Sequence, residues 1–416
     1  MLPLSLFAQK KALFLGNSYT FYNLMPSMVV DIAQSLEDTL IVDSNTPGGA
    51  KLQDHAQTGS TSMQKIQLQE WDVVVIQAQS QEPSFPPFQV QEDTYPYAEI
   101  LVNAIRDNHQ CSDPMFFMTW GRKNGDNVNG QFYPIISTYE GMQQRLRESY
   151  LEMGNDNDAL IAPVGMAWQQ IVEQHPDIEL YTADESHPSI FGSYLAACVF
   201  YSMLFEKSCL NPLTFVPETI SQDVATTIQS VASSTVLDST EVWNMFYVQS
   251  IDTNQLNNTT YEFSVEATHY DSLSWFFESG QYADQPSANH TFTQQGDYEV
   301  ILTLTANDGC KDKSFSFDIS VDSLINDSSV AIVVPQNEGA SYTIYPTLVN
   351  RYITIEGTEL GTHLSVYDYQ GKVVLQKVVF GNEKERVELA ELPKGQYILR
   401  ISNEEHNSTF KLLKYD

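Results

Sequence analysis

The chain has 416 residues, 42% hydrophobic and 18% charged, the composition of a globular protein with room for two or three domains. A formal net charge of −32 repels phosphate backbones and anionic membrane surfaces, which excludes nucleic acid as a partner. After the first residues no run approaches the roughly twenty apolar residues of a membrane span, so no membrane-spanning segment is expected.

Residues 2–9 (LPLSLFAQ) read as the final part of a secretory signal peptide without its basic start, and segment 1–9 is assigned as that remnant. The other reading is an N-terminal strand extension. The remnant is preferred because Lys10-Lys11-Ala12-Leu13-Phe14-Leu15 already forms a complete buried strand. Further strand-like runs follow at 39–42, 72–76, 114–119 and 159–163. Helical patterns lie between them at 25–36, 97–108 and 139–153. Strand and helix alternating in this way predict a parallel sheet covered by helices on both faces, and Val73-Val74-Val75-Ile76 has the unbroken apolar character of a strand buried on both sides. This α/β domain is expected over 10–240. Beyond it the texture changes to short alternating strands with frequent turns, which predicts two all-β sandwich domains, at 250–322 and 341–416, joined by a polar linker at 323–340.

Cys111, Cys198, Cys209 and Cys310 are scattered, without a C-x-x-C pair, which argues against zinc ribbons and thioredoxin-like redox sites. Cys198 and Cys209 either bridge in an oxidising compartment or remain as buried thiols; the spacing leaves both open.

Chemistry concentrates at two places. In Gly16-Asn17-Ser18-Tyr19-Thr20 a serine follows directly on a buried strand, at the carboxyl edge of a parallel sheet, where open α/β sheets place their sites. A helix begins nearby, so the serine serves either as a helix cap or as a nucleophile beside backbone N–H groups. In Asp184-Glu185-Ser186-His187-Pro188 an acid stands three residues before a histidine, just ahead of an apolar helix at 190–205. A serine nucleophile needs a base, and the base needs a carboxylate to set its tautomer, so one loop supplies both. His109 and His175 fall at helix ends, where histidine commonly complements the helix dipole.

Together these segments resemble the SGNH, or GDSL-like, hydrolase family, whose fold is a flavodoxin-like three-layer α/β domain. Gly16-Asn17-Ser18 is similar to the family's first block, with Asn17 in place of Asp. Asn45-Thr46-Pro47-Gly48-Gly49-Ala50 is similar to its glycine block and Asp184-x-x-His187 to its last. Where the third block carries Gly-x-Asn-Asp, this chain has Gln77-Ala78-Gln79-Ser80, as in a less-studied branch with glutamine there, so that Gln79 stands for the asparagine. The resemblance implies Ser18 as nucleophile, His187 as base and Asp184 as its orienting acid. The oxyanion would be held by the backbone N–H groups of Ser18 and Gly49, or Gly48 in its place, and by the Gln79 amide. It implies acyl-ester hydrolysis through an acyl-enzyme with no metal and no cofactor.

For the substrate, the aromatic-rich segments 84–97 and 120–133 are expected as loops at the site edge. Trp120 is the candidate to stack on a sugar ring and Arg122 to meet a carboxylate or sulfate; the alternative is that the aromatics only bury a long loop. Trp275, His290-Thr291-Phe292 and Gly296-Asp297-Tyr298-Glu299-Val300 resemble a PKD domain. Ile344-Tyr345-Pro346, Gly371-Lys372-Val373-Val374 and Leu392-Pro393-Lys394-Gly395 resemble the type IX secretion C-terminal sorting domain. That resemblance implies the type IX secretion machinery as a partner and a secreted or cell-surface location in a Gram-negative bacterium. The expected activity is removal of an acyl group, acetyl foremost, from a glycan or small ester; the alternative is a glycan-binding or adhesion protein with a degenerate hydrolase domain.

Overall fold

The computed structural model describes residues 9–278, 280–306, 309–321, 342–345, 348–349, 351–357, 362–368, 372–379, 384–402 and 407–414. The signal remnant (bar Gln9) and the linker at 323–340 lie outside the described residues. The chain forms two compact units, Met1–Met245 and Phe246–Asp416.

The first unit is built on five parallel strands: β1 (Lys10–Leu15), β2 (Leu40–Asn45), β3 (Val73–Ile76), β4 (Asp113–Phe117) and β5 (Leu160–Ala162). Their order, β2-β1-β3-β4-β5, is the flavodoxin-like doubly wound arrangement. In register, Leu15 of β1 lies beside Asn45 of β2 and Ile76 of β3, so three strands end at one level. Val73, Val74, Val75 and Ile76 are all buried, as a central strand between two helical layers requires. Full burial of such side chains contributes about 1.5–3 kcal/mol each.

The principal helices are α1 (Ser18–Phe21), α2 (Met25–Ser35), α3 (Tyr95–Asn108), α4 (Tyr139–Asp156), α5 (Val164–Gln174), α6 (Ile190–Phe205) and α7 (Gln222–Leu237). Met25, Met28, Val29, Ile32 and Ala33 form the buried stripe of α2, at the three- and four-residue steps of a helix face. Helix α6 is buried on nearly every side from Gly192 to Leu204, which is why its sequence shows no polar face. Cys198 and Cys209 are buried free thiols. No helix among the described residues is long and apolar enough to cross a membrane.

The stretch 84–97 is not a loop. A short helix at Pro87–Asp93 runs into α3, each with a proline in its first turn, where the missing N–H costs nothing.

Among the described residues the strands of the second unit pair antiparallel, apart from one short parallel pairing. Its first part has a three-stranded sheet (Ser287–Thr291, Thr260–Thr268, Tyr247–Gln255) and a four-stranded one (Lys311–Val321, Gly296–Ala306, Ser272–Glu278, Gln281–Ala283), around Phe263, Trp275, Val300 and Leu302. The strand at Tyr247–Gln255 begins ahead of the position expected from the sequence. The last part has its own core, with Ile353, Val366, Leu399 and Ile401 fully buried.

Candidate active site

Ser18 stands directly after β1, on a turn built from buried polar groups. Its helix cap is Asn17, whose side chain accepts from Tyr19 N at 3.1 Å, so the serine hydroxyl is not used for capping. Gln77, completely buried at the end of β3, locks this turn. Its Oε1 accepts from Asn17 N (3.0 Å) and Thr20 Oγ1 (2.8 Å), and its Nε2 donates to Asn17 Oδ1 (2.9 Å). A side chain at Gly16 would lie 2.5 Å from Thr20 Oγ1 and 2.7 Å from Gln77 Oε1, so the close approach requires glycine. Buried His55 closes the turn from the other side, one ring nitrogen 3.1 Å from Gly16 O and the other 2.6 Å from Ser62 Oγ. Burial pushes its pKa below the ordinary histidine value, against the smaller pull of the Gly16 carbonyl.

Asp184 and His187 come from a loop folded back on itself: Thr182 N donates to His187 O and Ser189 N to Leu180 O. Ser189, not Asp184 or Ser186, caps α6, with Oγ accepting from Phe191 N and Gly192 N. The loop brings His187 Nε2 to 2.8 Å from Ser18 Oγ and His187 Nδ1 to 2.5 Å from Asp184 Oδ2. Asp184 Oδ1 accepts from Ser186 N, His187 N and Thr182 Oγ1. Desolvation alone would raise the Asp184 pKa; these bonds, led by the one from His187, hold its carboxyl well below the usual range. Ser18, His187 and Asp184 thus form one connected hydrogen-bonded chain.

Other residues hold the imidazole that spacing arguments did not single out. The Tyr22 ring stacks on His187 with centroids 4.5 Å apart and planes at 18°. Tyr19 meets it edge-on at 5.5 Å, and the Tyr19 hydroxyl lies 2.7 Å from Ser186 Oγ. Asn23 Nδ2 donates to Pro188 O (3.2 Å) and Ser193 Oγ (2.9 Å), fastening the segment after Ser18 to the histidine loop. Asn23 and Leu24 both have left-handed backbone, φ 52° and 56°, in the bend between α1 and α2. Such backbone is uncommon outside glycine and asparagine and costs on the order of 1–3 kcal/mol at leucine. No local pattern in the sequence marks Tyr22, because the ring it stacks on lies far along the chain at His187.

Among the described residues, the backbone N–H groups of Ser18, Gly48 and Gly49 donate to no protein acceptor. Gly49 occupies φ +73° in the turn closed by Ala50 N to Pro47 O, a position suited to glycine. Gln79 Oε1 accepts from Gln81 N (2.7 Å) and Glu82 N (3.2 Å), which leaves its NH2 end only a long 3.5 Å contact with Gln81 Oε1. An ion pair between Lys51 and Glu82 ties the glycine turn to the Gln79 loop.

Trp120 does not face a substrate. It is fully buried, stacked on Tyr19 (4.6 Å) and on Trp168 (3.9 Å), and its Nε1 donates to Ser186 O, so neither ring face is free for a sugar. It braces the turn that carries Ser18 and the loop that carries His187 together. Arg122, two residues on, is partly exposed, with Nη1 4.0 Å from Asp126 Oδ1.

No curated protein matches the chain. Among solved structures it is similar to a DUF4886 family protein from Bacteroides uniformis, at 19% identity over 55% of this chain and 95% of that one, with a TM-score of 0.48. It is also similar to a candidate SGNH hydrolase from Slackia heliotrinireducens (27% identity, 47% and 100% covered, TM-score 0.39). A third likeness is to a carbohydrate esterase family 3 protein from Talaromyces cellulolyticus (14% identity, 48% and 97%, TM-score 0.35). Residues 242–321 match the family model of the PKD domain, and residues 343–415 match that of the secretion system C-terminal sorting domain. The α/β unit is thus followed by a PKD domain and a C-terminal sorting domain, and the sorting domain marks a protein destined for secretion or the cell surface.

Proposed function

We propose that the α/β unit is a serine ester hydrolase working outside the cell, carried there by the type IX secretion machinery. The observation that carries this reading is the unbroken chain from Ser18 Oγ through His187 to Asp184 at the carboxyl end of β1. In this reading Ser18 Oγ attacks the ester carbonyl while His187 Nε2 takes its proton, and Asp184 stabilises the imidazolium through Nδ1–H. The unpaired N–H groups of Ser18 and Gly49, with the Gln79 amide, receive the negative charge on the tetrahedral oxygen. Collapse expels the alcohol, which leaves with the proton from His187. Water, activated by the same histidine, then releases the acid from the acyl-Ser18 ester.

The finer reading is a small acyl group, acetyl foremost, removed from a carbohydrate. It is supported by the polar character of the loops around Ser18 and by the sorting domain, since a secreted or surface location suits a polymer outside the cell as substrate. The PKD domain acts in it as a spacer.

The test is labelling of the full chain with a fluorophosphonate probe, together with hydrolysis of 4-nitrophenyl acetate. Both are expected in the wild type and lost in Ser18→Ala. A folded wild type that is neither labelled nor active, yet binds glycan, would overturn the proposal in favour of an adhesion protein. Activity on acetylated polysaccharides against longer acyl chains tests the finer reading.

A further inference from the structure

The loop after β4 holds a guanidinium without a hydrogen-bond partner. The segment that carries Arg122 is fastened to both of the loops that flank Ser18. On one side Trp120 Nε1 donates to Ser186 O (3.0 Å) and Lys123 N to Glu185 O (2.9 Å), which fastens its neighbours to the loop bearing His187. On the other side Gln81, from the Gln79 loop, donates Nε2 to Asp126 Oδ2 at 2.5 Å.

Asp126 is the carboxylate that faces Arg122, but at 4.0 Å it is too far for a hydrogen bond. It is also already occupied. Besides Gln81, it accepts from Val128 N (3.1 Å), Asn129 N (3.0 Å) and Asn129 Nδ2 (2.7 Å). Its four bonds come from groups other than Arg122. Among the described residues the Arg122 side chain donates no hydrogen bond at all, and its Nε is buried without an acceptor. The side chain is 30% exposed, so part of the fork is open to solvent. A guanidinium brings five donors, and removing them from water without acceptors is unfavourable. In a chain with 53 acidic against 21 basic residues, a half-buried arginine that no carboxylate hydrogen-bonds is out of keeping with its surroundings. Burial raises the pKa of the Tyr19 hydroxyl; the hydrogen bond with Ser186 and then the Arg122 charge pull it back, so the guanidinium is within electrostatic reach of the residue after Ser18.

We infer that Arg122 is an anion subsite of the active site, and that the natural ester carries a carboxylate or sulfate near its acyl group, as an acylated acidic sugar does. The planar fork suits such oxyanions, which accept two parallel N–H bonds from it. Asp126 then serves to orient Arg122 without competing for its donors. The inference rests on the ester-hydrolase reading for its kinetics, but the binding of the anion can be measured without chemistry.

Two experiments on the full chain test it. In the first, kcat/KM is compared for an acetylated methyl glucoside, its glucuronate counterpart and its sulfated counterpart. The wild type should prefer a charged ester, and Arg122→Gln should raise KM for that ester about tenfold more than for the neutral one. The preferred charged ester tells carboxylate from sulfate. In the second, calorimetry on Ser18→Ala should show binding of the charged sugar, weakened about tenfold when Arg122→Gln is added. Equal wild-type efficiency on all three esters, or a ratio unmoved by Arg122→Gln, overturns the subsite. A chain with no esterase activity whose Ser18→Ala form still binds the charged sugar through Arg122 would overturn the enzyme reading and leave the subsite standing.

Discussion

Gln77→Leu is the sharpest probe of the turn that presents Ser18. The substitution keeps much of the volume and the backbone bond from Gln77 N to Leu15 O, but removes every side-chain hydrogen bond Gln77 makes: two accepted, from Asn17 N and Thr20 Oγ1, and two donated, to Asn17 Oδ1 and Ala78 O. Asn17 Oδ1 keeps Tyr19 N as a partner, but Asn17 N and the Thr20 hydroxyl are left as donors facing leucine, and the Ala78 carbonyl, the most tolerant of the three, loses its donor. Each orphaned buried group costs about 1–3 kcal/mol, so a loss of about 2–4 kcal/mol is expected, the threonine escaping part of it by rotation. For a unit of this size that corresponds to a fall in Tm of about 5–15 °C. Tryptophan fluorescence reads the right transition, because Trp71, Trp120, Trp168 and Trp243 lie in the α/β unit and only Trp275 lies beyond it. The catalytic effect should exceed the stability effect. At a temperature where the variant is folded, fluorophosphonate labelling of Ser18 should slow at least about tenfold, since misplacing a nucleophile by an ångström costs on the order of a hundredfold. A variant that melts with the wild type and labels at the wild-type rate would refute the idea that Gln77 sets the turn.

Tyr22→Ala should lower kcat about tenfold with little change in KM, because an aromatic pair contributes about 0.5–1.5 kcal/mol to holding His187 in place. Tyr22→Phe should restore kcat and Tyr22→Leu should not; equal rescue by leucine would reduce the ring to packing. For His55, burial puts the folded pKa below the unfolded one, so the unfolded chain binds a proton that the native state does not. The stability this provides is complete above about pH 6.5 and is lost as pH falls towards the folded value. Melting of the α/β unit across that range should therefore fall less steeply with acid in His55→Gln than in the wild type, and identical slopes would contradict the assignment.

The alternation of apolar strands and amphipathic helices was legible in the sequence because both periodicities are local, and β1 to β5 lie within a few residues of the runs that announced them. The pairing of Asp184 with His187 was legible for the same reason, since three residues in one loop keep acid and base within reach whatever the rest of the chain does. The segment 84–97 was misjudged because its prolines, which usually mark loops, here open helices.

Sequence by itself determined which side chains can carry a proton or attack a carbonyl, and roughly where each leaves its strand. Tertiary structure alone decided which are available. It buried Trp120 between Tyr19 and Trp168, made Gln77 the lock beside Gln79, laid Tyr22 on His187 and left the Arg122 fork without a hydrogen-bond partner among the described residues. Those outcomes depend on contacts between residues about fifty to a hundred and seventy positions apart, such as Trp120 with Trp168, Asn17 with Gln77 and Ser18 with His187, and no local pattern encodes who meets whom across a sheet edge.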